Sequence, residues 1–96
     1  MINKAEILNK LKEIKPILVR DYSVKKIGLF GSFALNEAKD NSDIDLLVEL
    51  DKPIGWGFFS LEIYLEQIFG RKIDLVTKNA LKDRIKDDIL NSVNYV

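Results

Sequence analysis

The sequence predicts a small α/β domain in which helices alternate with three short strands. Apolar residues recur at helical spacing near the start, in the middle and near the end of the chain, as expected of helices that bury one face. The segments between them are short and rich in apolar residues, and in one of them apolar and charged residues alternate, as in a strand. We therefore expect one sheet, with helices covering one face and the other face free.

The first half of the chain predicts a helix, then two strands on either side of a short helix. An apolar stripe marks the first helix, over roughly the first twenty residues: Ile7, Leu8, Leu11, Ile14 and Leu18. Pro16 is expected to kink this helix or to begin a second short one. Residues 25–30 predict a strand, residues 33–38 a short helix, residues 39–42 a polar turn and residues 43–50 a second strand.

The second half predicts a helix, a third strand and a last helix. Residues 55–57 form a glycine-rich loop, and Gly70 is expected to cap the helix that follows it. That helix has a core-facing stripe of Phe58, Leu61, Leu65, Ile68 and Phe69. Residues 72–76 predict the third strand, and a helix is expected from Asn79 onward, followed by a loose tail at residues 94–96. The stripe of the last helix is Leu81, Ile85 and Ile89.

Length and composition restrict the class of protein. With 96 residues, the chain has room for one hydrophobic core, so we expect a single domain over residues 1–96. Its 47% hydrophobic and 31% charged residues are typical of a globular protein. No uncharged stretch approaches the roughly 18 residues of a membrane span, so a cytoplasmic protein is expected. Fifteen basic residues balance fifteen acidic ones, which disfavours direct nucleic-acid binding.

The residue types that are missing restrict the chemistry further. The sequence contains no cysteine and no histidine, which excludes disulfides, thiolate nucleophiles, zinc–sulfur sites and any catalytic triad that uses histidine. Carboxylates are the strong ligands that remain. If the chain is an enzyme, we therefore expect a hard cation held by aspartate oxygens, either Mg²⁺ or Mn²⁺.

Three aspartates are candidates for that cation site. Asp43 and Asp45 lie two apart in a predicted strand, so both side chains point to the face opposite Ile44 and Leu46. Asp74 sits between apolar residues of the third strand and is expected to point to the same face. Two carboxylates in one small space repel each other unless a cation lies between them. Three of them can hold two Mg²⁺ ions, one orienting a triphosphate and one activating a hydroxyl.

Gly31 and Ser32 are candidates for the phosphate-binding half of such a site. A glycine between a strand and a helix lets the backbone approach a phosphate closely, and the N-terminus of the helix directs N–H groups toward it. Ser32 adds a hydroxyl donor. Phosphoryl transfer requires mainly positioning and charge neutralisation, so these residue types suffice without histidine.

The same residues resemble a known family. Gly31-Ser32, followed by ten residues and then Asp43-Ile44-Asp45, is similar to the signature of the DNA polymerase beta-like nucleotidyltransferase superfamily. Residues 27–32 and 42–48 resemble its minimal branch, the MNT domains. Residues 70–77, which include Asp74, resemble the strand that carries the third aspartate in that branch. The resemblance therefore covers nearly the whole chain.

This resemblance implies a nucleotidyltransferase fold with a three- to four-stranded mixed sheet, and transfer of AMP from ATP. It implies that Asp43 and Asp45 bind both metal ions, that Asp74 lies beside the acceptor hydroxyl, and that Gly31 and Ser32 hold the nucleotide phosphates. It also implies a partner, because MNT proteins are typically paired with a HEPN-domain protein. That partner is often an RNA-cleaving toxin, and some MNT antitoxins neutralise it by attaching AMP to a tyrosine.

Three functions stay open on this evidence. The first is the enzyme, and the second is a non-catalytic antitoxin that masks its partner by contact. The second is favoured slightly by Ala34-Leu35-Asn36, where many relatives have an arginine after the Gly-Ser pair, whereas the aspartate triad favours the enzyme. The third is transfer to a small molecule such as an aminoglycoside. It is disfavoured because related drug-modifying enzymes carry an additional helical domain.

Each of these residues also has an ordinary structural interpretation. An isolated Asp-x-Asp is usually a solvated strand end, an aspartate such as Asp74 can discourage edge-strand aggregation, and Ser32 can be a helix N-cap. The combination favours function for the site residues. Trp56, Phe58 and Phe59 could mark a partner-binding loop, but we expect them to pack in the core or at a hinge. Arg71 and Lys72 could contact a phosphate beside Asp74, but we expect them to form a solvated helix-to-strand turn.

Overall fold

The computed structural model describes residues 2–81 and 83–96, with the backbone alone for residues 83–85. In chain order its helices and strands are α1 Lys4–Tyr22, β1 Val24–Phe30, α2 Gly31–Ala34, β2 Ile44–Leu50, α3 Gly57–Phe69, β3 Ile73–Thr77, a 3₁₀ helix Lys78–Ala80, α4 Asp83–Ser92 and β4 Asn94–Tyr95. Within the described ranges, none of the helices has the length and apolarity needed to cross a lipid bilayer. The alternation of helices and strands confirms the predicted α/β fold class.

Helix α1 begins at a reciprocal cap. The Asn3 side chain accepts a hydrogen bond from the Glu6 backbone N–H at 2.9 Å, and the Glu6 side chain accepts one from the Asn3 N–H at 3.3 Å. This satisfies two N–H groups that the first turn leaves without partners. Pro16 lies inside α1 and does not begin a second helix as expected. The buried stripe continues on both sides of it, through Ile14 and Leu18.

The sheet is mixed and four-stranded, in the order β3-β2-β1-β4. Strand β1 runs antiparallel to β2 and β4, whereas β2 and β3 run parallel. The end of β1 therefore lies beside the start of β2, and the start of β3 lies on the other side of β2. Strand β4 was not expected, because the sequence predicts a loose tail at residues 94–96. Its backbone pairs with β1 through Leu29 and Gly28.

The core lies between one face of this sheet and the two long helices. It joins α1, α3 and the inward residues of β2, which are Ile44, Leu46 and Val48. Phe58 packs partly against this core, but Trp56 is 85% exposed and Phe59 is 55% exposed. The expectation that the aromatic cluster packs in the core or at a hinge is therefore wrong for Trp56 and Phe59.

The second face of the sheet carries the aspartates at one end and apolar residues in the middle. Leu47 points to this face and is fully buried, although it lies outside the main core cluster. Its cross-strand partner Gly28 faces Val93 and Tyr95, so the C-terminal segment lies against this part of the sheet. A Cβ atom on Gly28 would come within 2.6 Å of Val93 Cγ2. The side chain of Ile85, assigned by sequence to the last helix's apolar stripe, lies outside the described part.

Candidate active site

The sequence segments that carry the candidate residues meet in one row across three strands. Asp45 pairs with Phe30 on one side and with Asp74 on the other. Phe30 is the last residue of β1 and is followed directly by Gly31. The antiparallel β1–β2 pair and the parallel β2–β3 pair therefore bring residue 31 and two of the aspartates to the same end of the sheet.

Gly31 is required at its position for two independent reasons. Its φ angle is +72°, in the left-handed region that strains residues with a side chain. A Cβ atom there would also lie 2.8 Å from Asp45 Cγ and closer still to Asp45 Oδ2. The Asp45 carboxylate thus lies directly against the Gly31 backbone, at the turn that the sequence assigns to phosphate binding.

Ser32 lies inside α2 rather than at its N-cap. Helix α2 starts at Gly31 and its N-cap residue is Phe30, which makes no side-chain capping bond. The N-cap interpretation of Ser32 is therefore wrong. Within the described residues the Ser32 hydroxyl enters none of the side-chain hydrogen bonds.

Asp45 has the most perturbed carboxyl group of the site. Its pKa is raised from the usual 3.8 to about 6, chiefly by burial and in addition by the neighbouring charge of Asp74, a hydrogen bond with Asp74 and the charge of Asp43. Asp45 and Asp43 are partly buried, whereas Asp74 is exposed. The negative charge of Asp45 is therefore disfavoured at this place, both by partial burial and by its neighbouring carboxylates.

Such a set of donors fits a hard cation, because carboxylate oxygens are the ligands that Mg²⁺ and Mn²⁺ prefer. A cation between Asp45 and Asp74 would offset the repulsion between their charges. Among the described residues, however, no group of three or more acidic, histidine or cysteine side chains forms a ready-made metal cage. Asp43 lies just before β2 rather than inside it. From this position its charge acts on the Asp45 carboxyl group.

Arg71 is a contact residue that the sequence analysis placed in a solvated turn. The turn is confirmed, but the Arg71 side chain is not simply solvated, because its Nη1 atom donates to the Asp40 carbonyl at 2.7 Å and to the Ser42 carbonyl at 2.9 Å. No short-range pattern could have revealed these contacts, because donor and acceptors lie about thirty residues apart. Lys72 is exposed. Leu35, at the position where many relatives have arginine, is 56% exposed.

Comparisons with known proteins identify the family of the chain. A family model described as a nucleotidyltransferase domain matches residues 11–96. A protein adenylyltransferase MntA from Thermococcus cleftensis is 40% identical over 97 aligned positions, which cover 100% of this chain and 98% of that protein. A Methanocaldococcus jannaschii protein, provisionally named a protein adenylyltransferase, is 46% identical over 94 positions, 96% of each chain.

Solved structures share the fold. One that is provisionally named a minimal nucleotidyltransferase superposes with a TM-score of 0.82 at 23% identity, over 97% of this chain and 95% of that one. A toxin–antitoxin structure with AMP-PNP gives a TM-score of 0.69 at 21% identity, over 98% of this chain and 72% of that one. The sequence match across residues 11–96, together with relatives that are 40–46% identical over nearly their whole length, shows that the chain belongs to the nucleotidyltransferase domain family.

Proposed function

We propose that this chain is a single minimal nucleotidyltransferase domain over residues 1–96 that transfers AMP from ATP to a hydroxyl of a partner protein. The cations are two Mg²⁺ ions, for which Mn²⁺ can substitute. The acceptor is a tyrosine of a HEPN-domain toxin, so the chain acts as the antitoxin of the pair and forms a hetero-oligomer with it. No direct binding of nucleic acid is expected.

One observation carries the proposal. The Asp45 carboxylate packs against Gly31 and pairs in register with Asp74, so the candidate phosphate turn and two candidate ligand carboxylates adjoin. The Thermococcus cleftensis relative is a protein adenylyltransferase, which supports transfer of AMP to protein. The likeness to a toxin–antitoxin structure with AMP-PNP supports both the kind of donor and the kind of partner.

The proposed roles follow from these positions. Gly31 and Ser32 bind the triphosphate, and Asp43 and Asp45 hold the cations, which would neutralise the charge of the phosphates when bound. Asp74 is exposed and lies where a hydroxyl can approach from solvent. The hydroxyl oxygen bonds to the α-phosphorus, the bond from that phosphorus to the bridging oxygen breaks, and pyrophosphate leaves. The hydroxyl proton passes to Asp74.

A non-catalytic antitoxin remains the second candidate, because of one observation. The segment after the Gly-Ser turn presents Leu35 to solvent instead of the cation that could contact a phosphate there. In that case the same face would bind the partner and mask it without modifying it.

Intact-mass spectrometry separates the two candidates. The chain is mixed with a candidate HEPN-domain partner, ATP and Mg²⁺, and the mass of the HEPN protein is followed. We expect one or more AMP units to be added. The double variant Asp43→Asn and Asp45→Asn should bind the same protein and add none. A stable complex that gains no nucleotide mass with any of the four nucleoside triphosphates would rule out the enzyme and leave the masking antitoxin.

A further inference from the structure

Arg71 lies in the short turn between α3 and β3 and touches the other two segments of the site. Gly70, with φ +61°, ends α3 as its C-cap, and β3 begins at Ile73. The Arg71 guanidinium reaches from this turn to the loop that precedes β2. It also lies 5.4 Å from the centre of the Phe33 ring, in the helix that follows the Gly31 turn.

The contacts of the turn hold Asp43 from both sides. The Ser42 carbonyl, which accepts from Arg71 at 2.9 Å, belongs to the planar peptide unit that ends at the Asp43 nitrogen. On the other side of Asp43, the Ile44 N–H donates to the Lys72 carbonyl at 3.1 Å. The Arg71 side chain and the next backbone carbonyl thus fix the two peptide units that flank Asp43, and β3, which follows, carries Asp74.

The loop before Asp43 needs such a support. It contains no helix or strand between α2 and β2, and its internal bonds include those that Lys39 and Ser42 exchange at 2.9 and 3.0 Å. An arginine suits this place because one planar group can donate to two carbonyls while its face lies over an aromatic ring.

We propose that Arg71 is the positioning residue of this site, which fixes the peptide unit before Asp43 and so the arrangement of the aspartates that bind the divalent cation. The inference rests on the proposed function for the identity of those aspartates. It assigns Arg71 no contact with the cation or the nucleotide.

The test compares Arg71→Ala with Lys72→Ala. Both variants remove one positive charge beside the site, but the Lys72 side chain is exposed and the Lys72 backbone carbonyl stays in place. The first measurement is amide hydrogen exchange by NMR, without metal or nucleotide. We expect the Ile44 amide to exchange several-fold faster in Arg71→Ala and unchanged in Lys72→Ala, while the amide of Leu29 exchanges at the wild-type rate in both.

The second measurement is Mn²⁺ binding, followed by electron paramagnetic resonance of the free ion. Loss of a positive charge should strengthen cation binding, so a weaker affinity cannot come from charge. We expect roughly ten-fold weaker binding in Arg71→Ala, in the range found when residues that orient metal ligands are replaced, and no loss in Lys72→Ala. Arg71→Lys keeps the charge and the stem of the side chain, and it should recover part of the affinity.

Unchanged Ile44 exchange in Arg71→Ala, or equal Mn²⁺ affinity in the Arg71→Ala and Lys72→Ala variants, would overturn the inference. Transfer of AMP is measured in parallel, so the two proposals fail separately. A wild-type chain that transfers nothing contradicts the proposed function, while the exchange measurement still decides the role of Arg71.

Discussion

At the scale of single residues, Gly31 is the position where the backbone conformation and the arrangement of the site's side chains constrain each other most directly. Its φ lies in the left-handed region, which strains residues with a side chain, and the adjacent Asp45 carboxylate occupies the space that a side chain would need. Glycine is common at strand ends for backbone reasons alone, so the sequence cannot distinguish a simple turn from a glycine that accommodates a carboxylate. The structure makes that distinction through the position of Asp45.

We expect Gly31→Ala to lower the stability of the fold and to abolish Mg²⁺- and ATP-dependent thermal stabilisation. The left-handed backbone alone costs about 1–2 kcal/mol, and the collision with Asp45 adds to it. Gly55→Ala is a matched control, because Gly55 also has a positive φ, +53°, but a Cβ atom there meets nothing within 4 Å. Thermal melts of both variants measure the difference. Equal losses, with ligand stabilisation retained in Gly31→Ala, would contradict the close packing.

The raised pKa of Asp45 predicts a pH dependence for the metal-free protein. Because the folded state holds the Asp45 proton up to about pH 6, against a usual carboxyl pKa of 3.8, the folded state binds more protons between these values. The contribution of Asp45 to the free energy of unfolding therefore falls as the pH rises through this window. We expect the wild type to lose stability relative to Asp45→Asn as the pH rises from 4 to 6, as measured by urea unfolding. A pH-independent difference would show that Asp45 is not perturbed.

At the scale of helices and strands, regular elements were predictable and contacts between distant segments were not. The three strands and the long helices follow from local periodicity, because each buries its own apolar stripe. Strand β4 has two residues, and its pairing with Gly28 and Leu29 depends on chain that lies far away in sequence. The same holds for the bonds from Arg71. Pro16 does not begin a second helix, because α1 continues through it with its buried stripe on both sides.

The positions of α2 and β3 predict that nucleotide binding and transfer can be separated. Ser32→Ala should weaken ATP binding by about the 0.5–1.5 kcal/mol of one hydrogen bond, or somewhat more for a bond to a charged phosphate. Asp74→Asn should leave ATP binding largely intact and slow transfer by roughly 10²–10⁴-fold, as expected for loss of a general base. Calorimetry and the mass assay measure the two effects, and Ser60→Ala, on the exposed side of α3, is the control. Equal loss of ATP affinity in the Ser32 and Asp74 variants would contradict separate roles.

At the scale of the whole molecule, the C-terminal segment completes the sheet. Val96 donates its N–H to the Ile27 carbonyl at 3.0 Å, and Val93 lies over Gly28. The segment therefore both pairs with the edge of β1 and covers part of the second face, and the strand that it protects is the one that ends at Gly31.

Removal of residues 93–96 should lower the melting temperature and promote self-association, because β1 would become an exposed edge strand beside an uncovered apolar surface. Thermal melts and sedimentation velocity measure these effects. Tyr95→Ala is the control, because it removes an exposed ring, 5.6 Å from Lys26 Nζ, and keeps the backbone pairing. If truncation and control behave alike, the pairing of β4 contributes little to stability.

The parallel pairing of β2 with β3 also determines when the site can exist during translation. Gly31 and Asp45 lie in the first half of the chain and are synthesised early, whereas Asp74 belongs to a strand that is synthesised after α3. Until β3 has left the exit tunnel of the ribosome, the part of the nascent chain that can fold contains the Gly-Ser turn and the first two aspartates. It does not yet contain Asp74, or Arg71, which contacts the loop before Asp43. Any protection that depends on the complete site therefore begins late in the synthesis of each molecule.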